Sequence, residues 1–195
     1  AILITKQRLS HSHPLPQTIN ISDTNIKFIK SVRNLGVTLD STLSLHQHVM
    51  NIGKAAYLEL RRISSVRKYL SVDATKTLVC SLVLSRLNYC ISVLSGSSQY
   101  LLQKLQKVQN TAARIILRVA RSEHAFPLLC TLHWLSIRSR IKHRLCSLCY
   151  ISLTGSSPTY LSDLQDTYAL LSDTRILIIP TMKMKSYGQR SFAYQ

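Results

Sequence analysis

The chain has 195 residues, 46% of them apolar, and carries 25 Lys and Arg against 8 Asp and Glu, a formal charge of +17. That apolar share supports a core of ordinary domain size and excludes disorder as the default, while the charge predicts attraction to polyanions, nucleic acid first among them. Cys80, Cys90, Cys130, Cys146 and Cys149 form an odd set without a framework, which reads as reduced thiols in a nuclear or cytoplasmic protein. No apolar run is long enough to span a bilayer. Ala1 stands first, and the strand-like start lacks the charged head and cleavage site of a secretory signal, so the sequence reads as starting inside a longer protein that is not secreted.

The first forty residues read as β. Segments 1–5, 18–22, 26–29 and 35–39 are short and rich in Ile and Val, separated by turn formers such as His13-Pro14-Leu15-Pro16 and Ser22-Asp23-Thr24-Asn25. Two or three antiparallel strands are expected, too few to be stable without an apolar partner.

The period then changes to that of a helix. Val49, Ile52, Ala56, Leu60, Ile63 and Val66 recur at steps of three and four, with Lys54, Arg61 and Lys68 on the opposite face. Arg67 would fall at the edge of the apolar stripe, so this helix ends or bends near Val66. A second helix opens at Ser71, a plausible N-cap followed by Asp73, and is expected to run to about Ser95 before Gly96; it is apolar around most of its circumference. The third, over about 98–119, has the clearest pattern. Leu101, Leu105, Val108, Ala112, Ile115 and Val119 form one stripe, while Lys104, Lys107, Arg114, Arg118 and Arg121 form another roughly 140° away. Acidic neighbours that could neutralise this face at helical spacing are missing, although a basic face can also be merely solvated. Lys54 and Arg61, on the first helix, form a smaller basic set read as a control separate from that face. After Glu123 the pattern loosens through Pro127 and Trp134, then resumes as a helix over 137–153 with Arg138, Arg140, Lys142 and Arg144, ended near Gly155. The tail from Pro158 has less pattern.

Catalytic chemistry is hard to find in these residues. Two-metal phosphoryl transfer needs neighbouring carboxylates, and Asp23, Asp40, Glu59 and Asp73 are scattered, while Asp163 with Asp166 reads as a helix start. Cys146 and Cys149 with His143 could be half a zinc site or a redox pair; core thiols are the preferred reading, because the second ligand pair is missing. Neither a catalytic nor a metal residue is assigned, and no cofactor is expected in this chain.

Four motifs occur in order: Ser31-Val-Arg-Asn-Leu-Gly-Val-Thr-Leu-Asp40 with Leu43, Leu45 and His48; Leu84-Ser-Arg-Leu-Asn-Tyr-Cys90; Lys107-Val-Gln-Asn-Thr-Ala-Ala-Arg114; and Leu132-His-Trp-Leu135. Together with Pro158-Thr-Tyr-Leu161 and Gly188-Gln-Arg-Ser-Phe192, they resemble the post-catalytic region of jockey-like non-LTR retrotransposon reverse transcriptases. The resemblance implies a primer-grip-like segment at Leu35, Gly36 and Val37, then a helical thumb holding a template–primer duplex. Gly36 is equally readable as an ordinary turn glycine. Ser136 and Ile91 replace the proline and asparagine the family commonly has, and the closing aromatic-Asn motif is absent. Trp134, between Leu132 and Leu135, is read as a core anchor before a base-stacking platform.

The expected fold is mainly α: a small antiparallel β segment at the end of a palm (1–44), a three-helix thumb-like bundle (45–122) and a further helical region with an irregular tail (123–195). By resemblance the function is to grip an RNA–DNA hybrid as part of an RNA-directed DNA polymerase. The chain would not be an enzyme alone; magnesium belongs to an upstream palm, and that palm, fingers and an endonuclease domain are the expected protein partners. Lys104, Lys107, Arg114, Arg118, Arg121, Lys54 and Arg61 are the nucleic-acid-binding candidates. The alternatives are a decayed or domesticated basic helical protein with nonspecific RNA binding or no function, and a small ribosome-associated protein, which the long apolar helices disfavour.

Overall fold

The computed structural model describes residues 1–4, 16–21, 24–162, 167–169 and 175–177. Near the N-terminus, β1 (Thr18–Ile21) pairs with β2 (Thr24–Lys27), and β3 (Ser31–Asn34) with β4 (Val37–Asp40), as two separate antiparallel hairpins. Two expectations change here. Residues 1–4 are not a strand, although Ala1 O accepts from Ile29 N at 2.9 Å. The expected strand 35–39 starts only at Val37, because Leu35 (φ 44) and Gly36 (φ 80) form the tight turn of the second hairpin. Positive φ at both central positions matches a type I′ turn, whose twist suits the flanking strands.

The helices follow as α1 (His46–Val66), α2 (Val72–Val79), α3 (Ser85–Asn88), α4 (Gln99–Leu117), α5 (Ala125–Thr131), α6 (Ile137–Leu153) and α7 (Thr159–Ser162), before a third hairpin of β5 (Thr167–Ala169) and β6 (Arg175–Leu177). The mainly helical architecture with small N-terminal hairpins is the one the sequence pattern implies. Ser71 caps α2 by accepting from Ala74 N at 3.1 Å, and Ser136, where the resembled family has proline, caps α6 by accepting from Ser139 N at 3.2 Å. The carboxylates Asp23, Asp163 and Asp166 and the motif residues Gly188 to Phe192 lie outside the described residues, as do His13, Pro14 and Leu15 of the expected turn and most of the tail.

The second expected helix is broken. It passes from α2 through a π-helical turn (Cys80–Leu84) into α3, and then stops at extended Tyr89 and left-handed Cys90 (φ 51), with a 3-10 turn at Ile91–Leu94. The apolar run continues through the break because Ile91 and Leu94 are both buried, so periodicity alone could not reveal it. In the other direction, α5 forms where the pattern loosens. Pro127 is its third residue, in the first turn, where a missing N–H costs little.

One core runs from Val37 and Leu45 through Val49, Leu60, Val83, Leu105 and Ile116 to Leu132 and Ile141, across both expected domain boundaries. Asp40 secures the crossing at residue 44. Its carboxylate accepts from Leu45 N at 2.8 Å, Ser44 N at 3.0 Å and Thr42 Oγ1 at 2.5 Å, and buried His48 accepts from Thr38 N at 3.3 Å. Gln109, fully buried on α4, secures the other crossing by donating to Leu135 O at 2.9 Å, while Gln106 accepts from Ile137 N at 2.8 Å. Trp134 is half-buried against this core, as a packing anchor would be. The five cysteines are free, and the core-thiol reading is corrected in part: Cys149 is half-buried, but Cys146 is exposed.

Candidate nucleic-acid interface

Helices α1 and α4 pack side by side and run in the same direction, so that their C-terminal ends meet at Arg67 and Arg118. Between them open two adjoining clefts. The larger, about 1310 Å³, has Arg61, Lys68, Lys107, Arg114, Arg118 and Arg121 on its walls; the smaller, about 510 Å³, has Lys54, Arg61, Lys104 and Lys107. Thus all the nucleic-acid-binding candidates, from both helices, face one groove. Lys54 and Arg61 are therefore not a set apart from the α4 face: parallel packing of the helices turns the two basic stripes toward each other. Among the described residues no Asp or Glu lines either cleft. Glu59 bonds Arg62 at 3.1 Å and lies 3.8 Å from Arg86, outside the groove.

The cations divide by what their side chains already hold. Arg67, buried, donates to Ile116 O at 2.6 Å and Ile115 O at 2.9 Å, taking orphan carbonyls at the end of α4, and to Leu70 O at 2.7 Å in its own segment. Arg118 answers by donating to Arg67 O at 2.9 Å, at the end of α1. Burial and the charge of Arg118 lower the pKa of Arg67, yet a guanidinium stays protonated in any folded protein. Helix C-termini carry partial negative charge, which suits a cation placed there. Arg114 donates to Glu123 O at 2.7 Å. The side chains of Lys54, Arg61 and Lys107, by contrast, make no hydrogen bond or ion pair with any described residue, and Lys104 rests over the Tyr100 ring at 4.9 Å. These three side chains together with Lys104 and Arg121 leave a positive field unanswered by the described residues.

The primer-grip-like residues lie elsewhere, on the second hairpin. Leu35 is 83% exposed in its positive-φ turn, Val37 is buried in the core, and Tyr89 Oη donates to Leu35 O at 2.7 Å. A Cβ on Gly36 would stand 3.0 Å from Tyr89 Cε1, so this glycine is favoured by its φ and lets the ring lie close beside the turn. The helix break at Tyr89 and Cys90 is what aims that ring at the turn. Two of the four motifs thus meet here, and the other two meet at Gln109 and Leu135.

Sequence reasoning missed Tyr57, which lines both clefts, and Asn110 and Thr111 in the larger one. The signal for Tyr57 was present: with Lys54 and Arg61 it is at i, i+3 and i+7, one face of α1. Among the described residues no group of three His, Cys, Asp or Glu is placed to hold a metal ion, and no helix is long and apolar enough to cross a membrane. No protein-family model matches the chain, nor does any curated protein or solved structure.

Proposed function

We propose that the chain is the part of a non-LTR retrotransposon reverse transcriptase that grips an RNA–DNA template–primer hybrid, the catalytic palm and its magnesium being supplied by other residues of the polymerase. The observation that carries this reading is the convergence of two basic helix faces on one acid-free groove. A polyanion entering it displaces condensed counterions, so affinity falls steeply with salt and is largely blind to sequence. The motif resemblance supports the choice of hybrid, and the groove supports nucleic acid of any kind.

The test uses Lys54, Arg61 and Lys107, which have no structural duty to lose. Changing all three to Gln keeps helix propensity, and the log–log salt slope for hybrid binding falls by roughly two to three units if each contacts phosphate. The control is Arg138, Lys142 and Arg144 on α6, exposed and outside the groove, changed to Gln. Equal losses from both sets would reduce the protein to a diffuse cationic surface and remove the assignment. The 195-residue chain alone shows no template-directed nucleotide addition with magnesium or manganese; incorporation that survives repurification and vanishes in an Asp40 variant would overturn that part of the reading.

A further inference from the structure

The smaller cleft is built differently from the larger one. Val49, Met50, Leu58 and Val108 line it together with four cations, of which Lys54, Arg61 and Lys107 are exposed. Gly53 also lines it, in the interior of the 21-residue α1, where glycine is among the poorest choices. Packing does not require it, because a Cβ built there meets nothing within 4 Å. What the missing side chain provides is room in the cleft. One turn further on, Tyr57 is 44% exposed and borders both clefts.

A largely apolar cleft of this size that also holds exposed cations and an exposed ring matches a flat, weakly polar group attached to an anion. The anion is part of a polymer, since Arg61 and Lys107 carry the positive track onward into the larger cleft. We infer that the cleft receives the base of an unpaired nucleotide, stacked on Tyr57 over the space left by Gly53, while the adjoining phosphates lie along Lys54, Lys104 and Lys107. Paired bases are hidden within a duplex, so the nucleotide belongs to a single-stranded extension of the hybrid. This inference rests on the nucleic-acid reading of the groove and adds a base-contacting subsite to it.

The experiment measures binding of the full chain, by fluorescence anisotropy, to three RNA–DNA hybrids of equal paired length. One is blunt, one has a short single-stranded overhang, and one has the same overhang made of abasic nucleotides, so that the last two carry equal charge. Both overhang polarities are measured. The base-bearing overhang binds roughly tenfold more tightly than the abasic one, the scale of one base stacked on an aromatic ring. Tyr57→Leu, which keeps an apolar side chain, and Gly53→Leu, which fills the space, each bring that ratio close to one without loss of helix content. A ratio near one in the unaltered protein, or a ratio that survives both substitutions, overturns the subsite even if blunt hybrid still binds with a steep salt slope. Absence of salt-dependent binding to the blunt hybrid overturns the template–primer reading instead, and a base-dependent ratio kept between the two overhang hybrids would leave the subsite standing.

Discussion

Asp40 and His48 make the join between the second hairpin and α1 sensitive to acid, for different reasons. Burial raises the pKa of Asp40, but hydrogen bonds from Thr42, Ser44 and Leu45 outweigh it and lower the value from 3.8 to about 2. Between these two values the unfolded chain binds more protons than the folded one. The contribution is therefore complete above pH about 4 and is lost as pH falls toward about 2. Solvent reaches this carboxylate, so the join is worth about 1 kcal/mol, less than the full shift implies. Burial lowers the pKa of His48, whose neutral Nδ1 accepts from Thr38 N; acidification below its usual 6.5 charges the unfolded chain first and costs stability from there downward. Urea midpoints should then decline in two stages on acidification. Asp40→Asn should remove the lower stage and cost about 1 kcal/mol at neutral pH, and His48→Gln should remove the upper one. A midpoint unchanged between pH 7 and pH 3 would contradict both assignments. Gln109 is the other residue with a predictable loss: Gln109→Leu keeps volume but removes the shorter of the two hydrogen bonds to Leu135 O, leaving only Arg140 at 3.4 Å, and costs about 1 kcal/mol by the same measurement.

At the scale of elements, legibility in the sequence followed periodicity and failed where tertiary bonds decide. The stripes of α1 and α4 were readable because one apolar face is buried in each: Val49, Ala56, Leu60 and Ile63 on the first, Leu101, Leu105, Val108 and Ala112 on the second. The start of α2 at Ser71 was readable from its cap. The break at Tyr89 and Cys90 was not, since buried residues lie on both sides of it and the bond that accompanies it is to Leu35 O, 54 positions away in the chain. Nor could the sequence separate arginines that cap helix ends from cations that face solvent, because their acceptors are carbonyls, which every residue has. The second hairpin offers a test of what its strained turn is for. A type I′ turn favours Asn-Gly, yet Leu35 occupies the left-handed position while almost fully exposed. Leu35→Asn should stabilise the protein by about 0.5–1 kcal/mol. Stabilisation accompanied by weaker binding of the hybrid would mark Leu35 as kept for contact rather than for folding, and destabilisation would refute the turn assignment.

For the whole molecule, the decisive fact is where the core ends. Val37 belongs to it, whereas Ile19, Ile21 and Ile29 are exposed on and beside the first hairpin. Exposed β-edges with apolar side chains favour self-association. The two hairpins should therefore respond oppositely to removal. Deleting residues 1–29 takes away the exposed isoleucines and leaves β3, β4 and the Asp40 bonds in place, so solubility should rise while helix content and urea midpoint change little. Deleting residues 1–44 instead removes Val37 from the core, the carboxylate that holds Ser44 N and Leu45 N, and the carbonyl that receives Tyr89. Loss of a buried apolar side chain costs about 1.5–3 kcal/mol before the bonds are counted. Against a total stability on the order of 5–15 kcal/mol, that is enough to lower the midpoint of the helical part as one cooperative unit. Circular dichroism at increasing urea distinguishes the cases. If the longer deletion unfolds at the same midpoint as the shorter one, the second hairpin is an appendage and the continuous core drawn from Val37 to Ile141 does not govern folding.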